Sequence, residues 1–450
     1  MNKSLQFIDL FAGLGGFHKA LSELGHECVF ASEIDPTLQK VYKENWGIEP
    51  TGDIRKIVEN NIENIPPHNI LCAGFPCQPF SKAGNQKGRD DIVRGTLFDE
   101  IVKILNFRKP KYFILENVPF IAKHDNEETW NFMKNELESA GYDVKHEVYS
   151  PHDFGIPQHR NRIFIVGSLN GLDHFNFKEI DQQKYKMINI YQYIESNPKD
   201  VKKLSKVNID CINIWQEFLD CIPKETKIPG FPIWSMEFGA TYPFEETFPF
   251  QLSENKLAKF KGNFGCSLNK MNKQEQMKNL PSYSRVENEF PNWKKNYIRQ
   301  NRKFYKENKK HIKKIVKEIS SYESQSWQKL EWNVGKSERI IKNYILQFRA
   351  SGIRVKKVDL FPSIVCTSTQ IPIIGWQNRY ITKDEAKKLQ SLEDIKLPNN
   401  DNAAFRALGN AVNSKIVKII AKELLKSNVG LSLDKLEINN LPNHKNLIVA

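Results

Sequence analysis

The sequence has no run of about 18 apolar residues, so no membrane-spanning helix is expected. A signal-peptide pattern is also missing, because MNKSLQFIDLF passes straight into an apolar strand. Together these absences predict a soluble, cytoplasmic protein without a membrane partner. Cysteine is sparse and scattered: the seven, at 28, 72, 77, 211, 221, 266 and 366, are odd in number and form no CxxC pair. That pattern argues against a disulfide framework or a structural zinc site, and no metal is expected. Two nucleotide fingerprints are lacking as well. FIDLFAGLGGF, residues 7–17, is not GxGxxG, since His18 stands where the third glycine would be, and no GK[ST] follows to make a P-loop.

Charge of one sign is scarce in the wrong place for a uniform protein. Of 450 residues with a net charge of +13, residues 1–180 hold 20 Lys and Arg against 25 Asp and Glu, whereas residues 181–350 hold 31 against 19. Residues 351–450 hold 15 against 9. A slightly acidic body joined to a strongly basic middle suggests a catalytic part and an element that meets a polyanion, nucleic acid foremost. A chain of this length also has room for two or three domains.

Strand and helix signals alternate over residues 1–180. Gln6–Phe11, Cys28–Glu33, Ile70–Phe75 and Tyr112–Val118 read as short buried strands. Phe17–Leu24, Leu38–Trp46, Thr96–Phe107 and Glu127–Ala140 read as helices between them. Such alternation predicts an α/β fold, a doubly wound and mostly parallel sheet covered on both faces. Val144–Ser150 and Arg162–Ser168 are joined by too few residues for a helical crossover, so the last strand should run antiparallel. A sheet ending in that way resembles those of S-adenosylmethionine-dependent methyltransferases.

Residues 181–350 lose the alternation and show no internal repeat. Within them Trp293–Ile319 carries a helical apolar stripe, and 294–317 has 11 basic residues and one acid. This is either a solvated helix face or a contact to a DNA backbone. From about 351 globular signals return, with a strand expected over Phe361–Thr367 and a helix over Val412–Leu425. Val412, Ile416, Ile419, Ile420 and Leu424 share one face of that helix and need a core to cover.

Two stretches point to chemistry. In LCAGFPCQPFS, residues 71–81, a short apolar strand ends at Gly74, and Cys77 sits beyond it between Pro76 and Pro79. Prolines restrict the backbone on both sides of the thiol, and loops at the carboxyl ends of such strands are where ligands bind. In the glycine turn after the first strand no fixed cation is available for phosphate. Glu33 ends the next strand 20 residues after Gly13, a spacing at which an acid reaches ribose hydroxyls. A phosphate-free nucleoside such as S-adenosylmethionine fits both features.

DLFAGLGGF, ASEID (31–35), GDI (52–54), GFPCQPFS (74–81), RGTLF (94–98), ENV (116–118), QHRNR (158–162) and RALGNAV (406–412) occur in the order and approximate spacing of the motifs of the DNA cytosine-5 methyltransferase family. The resemblance covers residues 5–180 and about 375–425, and leaves 181–350 unmatched. It implies transfer of a methyl group from S-adenosylmethionine to C5 of a cytosine flipped out of double-stranded DNA. Cys77 would add to C6 of the ring as a thiolate, making C5 nucleophilic. Glu116 would hold and protonate N3, and Arg162, with Arg160 and Gln158 behind it, would bind the cytosine carbonyl.

For the cofactor, the resemblance implies that Phe11 packs on the adenine and that Ala12, Gly13 and Gly15 meet the methionine end. Glu33 would bind the ribose, Ile34 and Ile54 would flank the adenine, and Asp53 would reach its amino group. Pro76, Leu97, Asn410 and Val412 would complete the wall, so the C-terminal segment must fold back. The loop 81–94 would close over DNA as a lid, with Ser81, Gln86, Arg94 and Gln158 touching the nucleic acid. The spacing from Gly88 to Arg94 is a residue longer than the family pattern.

The expected organisation is a catalytic, cofactor-binding domain over 1–180, a basic target-recognition domain over 181–350 and a return segment over 351–450. A monomer in the bacterial cytosol is implied, with a restriction endonuclease as a possible partner. Methylation of transfer RNA is an alternative, since one branch resembling the family does this, as is a DNA-binding protein that keeps the fold without activity. The large basic insert favours duplex DNA, and the intact Cys77, Glu116 and Arg162 favour catalysis.

Overall fold

Short runs that are apolar on both faces of the backbone become the strands of a central sheet, and amphipathic runs between them become its covering helices. The computed structural model describes residues 4–76, 97–122, 124–184, 188–199, 201–365 and 370–426. In chain order the first part is β1 (Gln6–Leu10), α1 (Gly16–Ser22), β2 (Glu27–Ser32), α2 (Pro36–Trp46), α3 (Ile54–Asn61), β3 (Ile70–Gly74), α4 (Leu97–Arg108) and β4 (Tyr112–Asn117). It continues with α5 (Glu128–Ser139), β5 (Asp143–Tyr149), β6 (Gln158–His159), β7 (Arg162–Ser168) and α6 (Phe177–Asp181).

The sheet order is β2-β1-β3-β4-β7-β5. The first four strands are mutually parallel, while β7 is antiparallel to both β4 and β5. The reversed strand is therefore last in sequence but lies inside the sheet, and β5 takes the edge. Side-chain alternation separates two cores. Ile8, Leu10, Leu71, Ala73, Phe113 and Leu115 face α3, α4 and α5, whereas Phe7, Ile70, Cys72, Tyr112, Ile114 and Phe164 face α1 and α6.

A second sheet of six strands, β14-β13-β10-β11-β9-β8, belongs to the middle of the chain. Its strands are β8 (Ile233–Trp234), β9 (Lys329–Asn333), β10 (Ile345–Arg349), β11 (Gly352–Lys356), β13 (Ile373–Ile374) and β14 (Arg379–Tyr380). Helices α7 (Lys206–Asp220) and α8 (Asn292–Ile319) pack Trp215, Phe218, Phe304 and Ile312 against it. The basic segment is thus one continuous helix, as expected. The boundary expected at 350 falls inside the β10–β11 hairpin, because the second sheet continues to Tyr380. The strand expected over Phe361–Thr367 is the two-residue β12 (Phe361–Pro362), which pairs with β6; residues 366–369 lie outside the described ones.

The chain then returns through α9 (Lys383–Gln390), α10 (Asp401–Asn410) and α11 (Ser414–Leu424). A single helix over Val412–Leu425 was expected, but the backbone at Ala411 and Asn413 is extended and the Asn413 side chain accepts from the Ile416 N–H to start α11. Val412, Ile416, Val417, Ile420, Ala421 and Leu424 cover the α1 face of the first sheet. Each of these Val, Ile and Leu side chains removed from water contributes about 1.5–3 kcal/mol. Among the described residues no helix is long and apolar enough to cross a membrane.

Candidate active site

The carboxyl ends of β1, β2, β3 and β4 open into one cavity of about 700 Å³. This is where open α/β sheets bind ligands, and the volume lies in the usual range for a small-molecule site. Its floor is the turn after β1. Phe11 adopts a left-handed conformation at φ 56, Gly13 lies at φ 54, and both line the cavity with Ala12. The Gly13 N–H donates to Glu33 Oε2 at 2.9 Å, and the Asp35 N–H donates to Glu33 Oε1 at 2.9 Å. The carboxylate thereby fixes the turn, and its remaining lone pairs are left for hydroxyl donors.

Ile34, which is 62% exposed, and Ile54 supply apolar surface beside that acid. An isoleucine so open to solvent on the rim of a cavity fits the flat face of a base. Asp53 also lines the cavity, but it caps α3 and its oxygens already accept from Arg55 Nε at 3.0 Å and Nη2 at 2.7 Å. Arg55 holds its carboxyl below the ordinary range, so an adenine amino group would have to share it. Pro76 and Leu97 form the opposite side, and Asn410 and Val412 close the wall.

Gly15 was expected at the methionine end and does not line the cavity. It sits at φ 80, and a Cβ there would lie 2.2 Å from Trp46 Nε1, so its role is to let the indole pack behind the turn. Gly16, which sequence reasoning passed over, lines the cavity instead. A Cβ on it would meet Val412 Cγ1 and the Val412 carbonyl oxygen at 2.6 Å. The last glycine of GLGG thus allows the start of α1 and the return segment to approach closely.

The polar end of the cavity holds Glu116, Arg160 and Arg162. Glu116, the penultimate residue of β4, is in register with Gly74 of β3, and only 6% of it is exposed. Burial raises its carboxyl above the ordinary range, with Arg162 and then Arg160 working against that. Arg162 Nε is 2.9 Å from Glu116 Oε1, a close ion pair whose N–H is not aligned for a hydrogen bond, so this buried oxygen still lacks one. Asn117, next along, donates from Nδ2 to the Phe75 carbonyl at 3.0 Å and steadies the loop that leads to Pro76.

Arg160 lines the cavity beside Arg162 and is also tied to the return segment. Its guanidinium donates to the carbonyls of Gly409 at 2.7 Å, Ala411 at 3.1 Å and Ile364 at 3.2 Å, and to Ser363 Oγ at 3.3 Å. It is a buried strut between the QHRNR loop and the return segment, and the two arginines share no strand, since β7 begins only at Arg162. Gln158, expected at the DNA surface, is fully buried and its Oε1 accepts from Gln390 Nε2 at 3.3 Å. Its side chain therefore offers no exposed surface to a duplex. Cys77, Ser81, Gln86 and Arg94 lie outside the described residues.

A mostly parallel sheet with one reversed strand, carrying a nucleoside-sized cavity that ends in a buried carboxyl and a guanidinium, defines a methyltransferase-type α/β protein. The chain belongs to the C-5 cytosine-specific DNA methylase family, whose sequence profile matches residues 5–231 and 237–426. It is 48% identical over 174 residues to the Type II methyltransferase M.HhaI of Haemophilus parahaemolyticus, which covers 39% of this chain and 52% of that one. It is 44% identical over 176 residues to the Type II methyltransferase M.MspI of Moraxella sp., covering 39% and 41%. The matched part thus spans about half the length of these relatives. The match to M.HaeII of Haemophilus aegyptius, 42% identical over 225 residues, covers 48% of this chain and 69% of the relative. A solved structure titled as a putative DNA modification methyltransferase encoded within an E. coli prophage shares the fold, with a TM-score of 0.52 at 18% identity over 94% of this chain and 99% of that one.

Proposed function

We propose that the protein transfers a methyl group from S-adenosylmethionine to C5 of a cytosine turned out of a specific double-stranded DNA sequence. The observation that carries this reading is the pairing, in one cavity, of an adenosyl-type wall with the buried Glu116 carboxyl. The wall residues fit the donor. Glu33 keeps acceptor capacity beside the turn, and Ile34 and Ile54 offer apolar faces. When bound, the sulfonium supplies an electrophilic methyl group.

The chain's own residues would do the rest. Pro76 lines the cavity and Cys77 follows it in the sequence, so the thiol enters the reading as the nucleophile toward C6. Glu116, whose burial favours the protonated form, would donate to the ring at N3 as sulfur attacks, leaving electron density at C5. Arg162, already against Glu116, would bind the cytosine carbonyl and hold the carboxyl in place. After methylation the C5 proton leaves, and elimination frees the thiol. Extrusion of the base is required because both faces of the ring must be reached.

The middle unit built on the second sheet would read the target sequence. The relatives' names as Type II methyltransferases support a restriction-modification role in the bacterial cytosol, with an endonuclease of the same specificity as partner. Incubating the protein with labelled donor and matched duplex DNA or transfer RNA tests the substrate; product on RNA alone overturns the reading. Duplex carrying 5-fluorocytosine should yield a denaturation-resistant complex, because fluorine cannot leave as the proton does. Cys77→Ser should abolish that complex and methylation while keeping donor binding.

A further inference from the structure

The long helix α8 has two faces of opposite character. Ile298, Phe304, Ile312, Ile315, Val316 and Ile319 are buried against the middle unit. Asn301 adds polar anchors, accepting from the Trp234 N–H at 2.8 Å and donating to the Pro232 carbonyl at 3.0 Å. Arg302 donates to the fully buried Glu237 at 2.9 Å. The helix is therefore a fixed rod rather than a loose basic arm.

Lys303, Lys306, Lys310, Lys313 and Lys317 fall at intervals of three and four, and all are exposed. At 100° per residue their row points directly away from the buried face. It extends over about 21 Å at 1.5 Å per residue. Some exposed lysines on other helices pair with an acid one turn away, as in Lys40–Glu44 and Lys103–Glu100. On this row only Lys303 has such a partner, Glu307 at 3.9 Å. The others have like-charged neighbours one turn away, such as Lys306 and Lys310 or Lys313 and Lys317, and those pairs disfavour the helix. A charge array that works against its own helix is relieved by a polyanion lying along it.

We infer that this lysine row is a sequence-independent contact to the phosphate backbone of duplex DNA, separate from the cavity and from base recognition. The inference rests on the duplex-DNA reading above, but its test needs no catalysis. Each neutralised phosphate releases counterions, so lysines that touch phosphate make binding fall steeply with salt.

The experiment measures binding of a 30-base-pair duplex without target sites by fluorescence anisotropy, between 50 and 200 mM salt, for the full chain. The variant Lys306→Gln, Lys310→Gln, Lys313→Gln, Lys317→Gln should bind at least tenfold more weakly at low salt, with a log–log salt slope shallower by up to about 3.6. The corresponding four-arginine variant should keep both values, and native melting of each variant shows that the rod is intact. An unchanged slope in a natively melting glutamine variant overturns the inference alone. Failure of the unaltered protein to bind any duplex overturns the inference together with the DNA reading.

Discussion

Arg160 offers the sharpest test of how the site is built. Its guanidinium reaches three backbone carbonyls, two of them, Gly409 and Ala411, flanking Asn410 in the cavity wall. Arg160→Met keeps an unbranched apolar stem, shortens the side chain and removes every side-chain donor. At a net cost of about 1 kcal/mol for each hydrogen bond lost, the three carbonyl bonds alone account for about 3 kcal/mol. If that loss falls on docking of the return segment, affinity for S-adenosylmethionine drops by up to about 100-fold, since 1.4 kcal/mol is a factor of ten. Isothermal titration with the methyl donor measures this directly, and far-UV circular dichroism separates loss of the wall from loss of fold. Arg162→Met is the contrast. Among the described residues the polar contacts of Arg162 are to Glu116 and the Asn161 carbonyl, not to the return segment, so donor affinity should be unchanged while methylation is lost. Wild-type donor affinity in Arg160→Met, with methylation abolished, would show that the guanidinium acts on substrate and that the strut is incidental.

Glu116→Gln should slow methylation by about 10²–10⁴ and remove a limb from its pH profile, which rate measurements between pH 5 and 8 would reveal. Burial raises the Glu116 carboxyl, so the folded chain holds this proton more tightly than the unfolded one. The resulting stability is present below the ordinary glutamate value and is lost as pH rises through the folded one, and the wild-type rate should fall along the same limb; a pH profile identical in wild type and variant would contradict this role. Gly16→Ala drives a methyl group into Val412 at 2.6 Å and should cost about 1–3 kcal/mol, read as a lower melting temperature with weaker donor binding. An unaltered melt would mean that α1 and the return segment do not meet there.

Much of the first sheet was legible because its strands are apolar on both faces and its helices on one. β1 to β4 fall within a residue or two of expectation, and the reversed β7 followed from a connection too short for a crossover. α3 went unread although Asp53 caps it and Ile54, Ile57 and Val58 give it an apolar stripe, because two turns carry little periodic signal. The second sheet was out of reach: β8, β13 and β14 have two residues each, too few to show alternation. At the site, Glu116, Arg162 and the donor wall were carried by motifs that specify local geometry. The strut contacts of Arg160 were not legible, because its partners at 364, 409 and 411 are remote in sequence and only folding brings them together.

The contact of Gly16 with Val412 and the ion pair of Glu23 with Lys418 at 2.8 Å join the beginning of the chain to its far end. A nascent polypeptide released before residue 412 has no finished pocket, so translation stopped midway yields a product without partial activity. Fragments divided within the middle unit should likewise be silent apart and regain function only on reassembly, which makes the molecule a natural template for a split reporter.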